Sequence, residues 1–114
     1  MIGEAIKPSV AWTMLIAAGL IDVAWALTMK LSQGYTKPWW TAASIVALIA
    51  FVWLLGRALT ALPVGSAYAV WTGIGAAGTV LLGSILFGES ITPLRLGGVA
   101  LIVAGVVVLR SAPG

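Results

Sequence analysis

The sequence predicts an all-α integral membrane protein with four transmembrane helices. The chain has 114 residues, 61% of them are hydrophobic, and only 8% are charged. A soluble domain carries about 25% charged residues, so this composition excludes a soluble surface. Because one spanning helix needs about 20 residues, the chain accommodates four spans with short connections. We therefore expect a single four-helix membrane domain over residues 1–114.

The residue types that are absent or scarce exclude several functions. The chain has no cysteine and no histidine, which excludes disulfide frameworks, thiol nucleophiles and the usual zinc and histidine-base chemistries. A membrane enzyme is the least favoured class, because one carboxylate offers little for bond chemistry. The net charge of +3 reflects a shortage of acids and not a basic cluster, so no nucleic-acid partner is expected. We expect neither a metal nor a cofactor.

Basic residues and proline bound the first two predicted spans. Lys7 and Lys30 bracket the first span, which covers about residues 8–29 and is long enough to cross a bilayer. The second span begins at Pro38, a residue that is favoured in the first turn of a helix, and ends near Gly56. Trp39 and Trp40 follow the proline directly. We expect them at the headgroup level, where indole rings preferentially lie.

The third and fourth predicted spans also begin at helix-start signals. Pro63 starts the third span, which is rich in glycine and covers about residues 63–87. Thr92 is the predicted N-cap of the fourth span, and Pro93 takes its first helical position. This span covers about residues 94–109 and is the shortest of the four.

The basic residues divide equally between the two sides of the membrane. With four spans, the N-terminus, the second turn and the C-terminus share one side, and the first and third turns share the other. The bases are Lys7, Arg57 and Arg110 on the first side and Lys30, Lys37 and Arg95 on the second. Lys and Arg set orientation, so this tie favours insertion in both directions. We expect a dual-topology protein that works as an antiparallel homodimer, and a chance tie is the alternative.

Asp22 is the one acid expected inside the bilayer, because Glu4 and Glu89 lie in the N-terminal tail and in a turn. A charged Asp near a helix centre costs about 2.5–3.5 kcal/mol on insertion scales, which makes this residue a functional candidate. A carboxylate that holds either a proton or a cation, but not both, is a proton/cation exchange site. The alternative is a packing role, although Ser, Thr, Asn and Gln fill that role more often.

Aromatic residues accompany this carboxylate at helical spacing. Trp25 lies three residues after Asp22, so its indole N–H is expected to donate to the carboxylate. In the third span, Tyr68, Trp71 and Gly75 share one face. An organic cation needs a counter-charge and aromatic faces, and each cation–π contact contributes roughly 0.5–2 kcal/mol. The pattern predicts a site for a small organic cation; for Trp71, ordinary packing is the alternative.

The fourth span carries several small residues and no polar group in its interior. The small residues are Gly98, Ala100, Ala104 and Gly105. Because small side chains permit close helix approach, we expect this span to be a dimerisation helix. A lipid-facing helix is the alternative.

Three segments resemble the small multidrug resistance transporter family, and the resemblance covers nearly the whole chain. They are GLIDVAWALTMKLSQGYT at 19–36, LPVGSAYAVWTGIG at 62–75 and GVALIVAGV at 98–106. The resemblance implies a four-helix protomer in the bacterial cytoplasmic membrane and an antiparallel dual-topology dimer. It also implies proton-coupled export of cations by alternating access.

The resemblance implies roles for individual residues. Asp22 falls where the family has the glutamate that binds both proton and substrate. Tyr68 and Trp71 fall on the binding-site aromatics of the family. Gly73 and Gly75 fall on a bend in the third helix that differs between the two protomers.

Three residues bear on the substrate that the resemblance implies. Trp25 looks like the guanidinium exporters, whereas the quaternary-ammonium exporters have glycine there. The other two residues depart from the family pattern. The acid is Asp and not Glu, which is one methylene shorter. Phe51 stands where guanidinium exporters usually place a hydrogen-bonding Ser, which makes the site more hydrophobic, and Ser44, two turns away, is the nearest hydroxyl for polar support.

The sequence therefore predicts a proton-coupled antiporter that exports guanidinium or substituted guanidinium ions. A quaternary-ammonium multidrug exporter is the alternative within transport. A non-transporting membrane subunit that modulates a partner is the alternative from another class.

Overall fold

The computed structural model describes residues 6–112 and contains four α-helices. They are α1 (Pro8–Leu31), α2 (Pro38–Ala58), α3 (Val64–Phe87) and α4 (Pro93–Ser111). At about 1.5 Å per residue, the shortest helix, α4 with 19 residues, is about 28 Å long. All four are therefore long and apolar enough to cross a hydrocarbon core of about 30 Å. The prediction of an all-α protein with four transmembrane helices is confirmed.

Proline, threonine and glycine set the helix ends. The first residue of α1, α2 and α4 is a proline, whose missing N–H is not needed in the first turn. Thr92 caps α4 as predicted, because its hydroxyl accepts a hydrogen bond from the backbone N–H of Arg95 at 3.1 Å. Gly88 ends α3 in the left-handed region, at φ +66°, which glycine adopts without steric penalty.

The four helices form one flat layer and not a bundle. Helix α1 packs between α2 and α3, and α4 packs on α3. The principal dimensions are 41 × 36 × 16 Å, and a single helix with its side chains is about 10–12 Å thick. Large apolar side chains such as Leu94 and Leu101 therefore lie exposed, at 87% and 76%. Exposure of this kind suits contact with lipid or with another helix layer.

Glycines permit the close approach of α3 to its neighbours. A Cβ placed on Gly78 would lie 2.7 Å from Val23 Cγ2 of α1, and one placed on Gly73 would lie 2.6 Å from Val106 Cγ2 of α4. Helix α3 runs without interruption through Gly73 and Gly75. Gly73 and Gly78 thus permit close helix packing. A bend at Gly73 and Gly75 stays a prediction.

The outer face of α4 is uncovered in this structure. The predicted dimerisation residues Gly98, Ala100, Ala104 and Gly105 are all exposed. The face turned toward α3 carries larger side chains, including Ile102 and Val106. The part of the chain that the structure describes does not contact the small-residue face of α4, so its role in pairing stays a prediction.

Charged side chains connect the helix ends at both sides of the layer. Lys30 Nζ of α1 lies 3.3 Å from Glu89 Oε2 and 5.2 Å from the centroid of the Phe87 ring. At the opposite side, the Arg110 guanidinium lies 4.6 Å from the centroid of the Trp12 ring. The Lys30–Glu89 contact places the first and third turns on one side of the layer, as the division of the basic residues between the two sides assumes. Glu4, assigned to the N-terminal tail, lies outside the described residues.

We expect Gly78→Ala to lower the free energy of unfolding by about 1–3 kcal/mol, the usual effect of overpacking. Val23 is 3% exposed and β-branched, so its methyl group has little room to move away from the added carbon. Gly56→Ala is the matched control, because a Cβ on this helical glycine meets no atom within 4 Å. Thermal unfolding of both variants in one detergent measures the difference, and equal melting temperatures would contradict the close contact.

Candidate cation-binding site

Asp22 lies inside the apolar layer and faces α3. It is the fifteenth residue of α1, so at about 1.5 Å per residue it lies about 21 Å from the start of the helix. The indole N–H of Trp71 donates a hydrogen bond to Asp22 Oδ2, with an Nε1–Oδ2 distance of 3.2 Å. Within residues 6–112, no Lys or Arg forms an ion pair with Asp22. The carboxylate therefore has a neutral partner and no resident counter-cation.

The Gly75 backbone lies directly against the same carboxylate oxygen. A Cβ placed on Gly75 would be 2.5 Å from Asp22 Oδ2 and 3.4 Å from its Cγ. Gly75 is buried, and it lies one helical turn after Trp71 on the same face of α3. Any larger residue at this position would displace the carboxylate from α3.

Four aromatic rings from three helices form a continuous row beside Asp22. The Trp25 and Phe51 ring centroids are 5.5 Å apart and the rings are stacked at 30°. The Phe51 and Trp71 centroids are 6.1 Å apart, and Tyr68 meets Trp71 edge to face at 4.8 Å. The structure thus brings together the acid and the four aromatic residues that the sequence singled out.

Exposure rises from Phe51 through Trp71 to Tyr68 along this aromatic row. Phe51 is 6% exposed, since it is enclosed between Trp25 and Trp71, whereas Tyr68 is 58% exposed. A cation that enters from the open side would therefore meet the Tyr68 ring first and the carboxylate afterwards. Cation–π attraction strengthens as the cation loses water, which favours movement toward the buried rings.

The expectation that Trp25 donates to Asp22 is wrong for this structure. The donor is Trp71 on α3, and the Trp25 ring stacks on Phe51 of α2 instead. An indole has a single N–H, so the stacking that fixes the ring plane also fixes the direction of its donor. Spacing within α1 places Asp22 and Trp25 on one face of the helix, but it does not determine how the Trp25 side chain is rotated.

Ser44 does not join the site. It is 1% exposed and lies on the same face of α2 as Phe51, but seven residues away, which is about 10 Å along the helix axis. No hydrogen bond connects it to Asp22 among the described residues. In this conformation Ser44 therefore provides no polar support to the Asp22 carboxylate.

An apolar groove of about 470 Å³ lies elsewhere, on α2. Its lining residues are Leu48, Ile49, Val52 and Trp53. A groove without a charged or polar side chain provides no counter-charge for a cation. Of the two places, only Asp22 offers a negative charge to a cation.

The sequence did not predict two contacts of Asp22: the hydrogen bond that Trp71 donates and the close approach of Gly75. Both residues lie on one face of α3 because they are four residues apart. This spacing was visible in the sequence, but the distance between α1 and α3 was not. A neutral N–H donor, a close backbone and four rings can hold a carboxylate that exchanges a proton for an organic cation.

Comparison with known proteins identifies the family to which this sequence is similar. A family model described as Small Multidrug Resistance protein matches residues 10–102. A guanidinium exporter of Yersinia pseudotuberculosis is 46% identical over 102 residues, which are 90% of this chain and 98% of the relative. Guanidinium exporters of Escherichia coli K12 and Citrobacter freundii are 44% and 45% identical over 100 residues, which are 88% of this chain and 95% of each relative.

These relatives are bacterial proteins that are named as exporters and not as enzymes. The family model covers all of α2 and α3, most of α1 and about half of α4. The chain is therefore a multi-pass protein of the bacterial inner membrane and belongs to the small multidrug resistance family.

Proposed function

We propose that this protein is a proton-coupled antiporter that exports guanidinium or substituted guanidinium ions. The observation that carries the proposal is Asp22, which lies beside four aromatic rings without a basic partner in the described residues. The names of its relatives support guanidinium as the substrate class.

Exchange follows from competition for one carboxylate. A planar guanidinium pairs with a carboxylate through parallel N–H donors and stacks on aromatic faces. Protonation removes the negative charge and with it most of the attraction for a cation. A proton that binds Asp22 from the acidic side therefore releases the cation, and a cation that binds from the other side releases the proton.

We propose that the working unit is an antiparallel homodimer. A single layer about one helix thick leaves the Tyr68 side of the site open, and the small-residue face of α4 is uncovered. A second copy in the opposite orientation would cover the open side and bring a second Asp22 to the site. The three-to-three division of basic residues favours the mixed insertion that this pairing needs.

Export of quaternary-ammonium ions is a second candidate, which Phe51 favours. A phenyl ring replaces the hydroxyl that guanidinium exporters usually carry at this position, and it lies between two indoles, stacked on Trp25 and tilted against Trp71. Four rings and one acid suit a hydrophobic cation that donates no hydrogen bonds. Currents from a panel of guanidinium, phenylguanidinium and tetraalkylammonium ions distinguish the two candidates.

We expect Asp22→Asn to abolish proton-coupled guanidinium currents in liposomes that contain this protein alone. In the wild type, the apparent guanidinium affinity should fall as the pH is lowered, because protons compete for the carboxylate. The amide of the variant neither binds a proton nor attracts a cation, so currents on solid-supported membranes should disappear. Glu89→Gln is the control with the same chemical change outside the helices. Persistent coupled transport by Asp22→Asn would refute the assignment, and a wild type without currents would favour the non-transporting subunit.

We expect Trp25→Gly to raise the ratio of tetraethylammonium to guanidinium transport by about tenfold. The substitution removes the ring stacked on Phe51, which opens space for a bulky cation and removes a face for a planar one. Trp53→Gly is the matched control, because that indole is 61% exposed on the apolar side of α2. An equal change in both variants would show that helix disruption, and not the site, sets the ratio.

We expect single cysteines at Ser90 and Ser111 each to be labelled to about one half from the outside of intact cells. Both positions are exposed and lie at opposite ends of the layer, whereas Ser32 is fully buried and unsuitable. Added lysines at the same two positions should bias the orientation in opposite directions, because each breaks the tie of basic residues. Complete labelling at one position and none at the other would exclude dual topology.

A further inference from the structure

One oxygen of Asp22 makes both of the contacts that the carboxylate has with α3. Oδ2 accepts the Trp71 indole N–H at 3.2 Å, and it also occupies the space beside the Gly75 α-carbon. No described side chain donates a hydrogen bond to Oδ1. The two carboxylate oxygens therefore have different surroundings, one held against α3 and the other available.

Because Gly75 has no side chain, the Asp22 carboxylate occupies the place that a Cβ would take. A Cβ there would lie 2.5 Å from Oδ2, closer than any van der Waals contact, so an alanine must push the carboxylate away by about 1 Å. Trp71 lies one turn earlier on the same buried face, so the displaced oxygen would also leave its hydrogen-bond donor. Gly75 thereby controls the Trp71 contact without touching a bound cation.

We propose that Gly75 and Trp71 form an aspartate socket, a place on α3 that holds Oδ2 of Asp22 and leaves Oδ1 to exchange proton and cation. Gly75 is the positioning residue of this socket. The proposal rests on the proposed function for the role of Oδ1.

The test compares Gly75→Ala with Gly78→Ala, which adds the same carbon at the same interface but against Val23. We expect Gly75→Ala to raise the half-saturating guanidinium concentration about tenfold in liposomes, while Gly78→Ala loses thermal stability and keeps its affinity. In a Trp71→Phe background, Gly75→Ala should have little further effect, because both changes remove the same contact.

A second measurement does not depend on transport. The indole Nε1–H resonance of Trp71, assigned by its loss in Trp71→Phe, should move in Gly75→Ala and in Asp22→Asn but not in Gly78→Ala. If wild-type currents are absent but the resonance responds in this pattern, the socket stands and the proposed function fails. If currents are present and Gly75→Ala matches Gly78→Ala in affinity and in resonance, the socket is wrong.

Discussion

The carboxylate of Asp22 inside an apolar layer is the constraint on which the rest of the structure depends. Placing that charge near a helix centre costs about 2.5–3.5 kcal/mol on insertion scales. The Trp71 indole offsets part of this cost with a hydrogen bond of 3.2 Å. A lysine or arginine would stabilise the carboxylate more strongly, but it would occupy the place that a cation needs. A neutral donor stabilises the charge and leaves it available.

The sequence of α3 places this donor through a change of residue size along the helix. Tyr68 and Trp71 come first along this helix, and Gly75 and Gly78 follow them on the side of α1. The glycines bring the two backbones together, and the rings fill the wider space where α2 contributes Phe51. The site therefore lies where close backbone packing gives way to aromatic packing. Both contacts of the carboxylate oxygen arise at this transition.

Much of this arrangement could be predicted from the sequence, because it depends on properties within single helices. Length and hydropathy gave the four spans, Thr92 gave the start of α4, and helical spacing grouped Tyr68 with Trp71. The identity of the donor was not predictable, because it depends on how far each helix is rotated and on the stacking of Trp25 against α2. Contacts between helices depend on the distance between the helices, and residue spacing along one helix does not give that distance.

The scarcity of charge couples the fold to the proposed assembly. Only six basic residues are present, and three of them also make contacts at helix ends: Lys30 with Glu89 and Phe87, Arg57 with Trp53, and Arg110 with Trp12. Each of these three bases therefore contributes both to local packing and to the balance that sets orientation. A layer one helix thick needs a second surface to enclose its site, and an oppositely inserted copy provides one only while that balance holds. Replacement of a single helix-end base thus alters a contact within one protomer and the supply of its antiparallel partner.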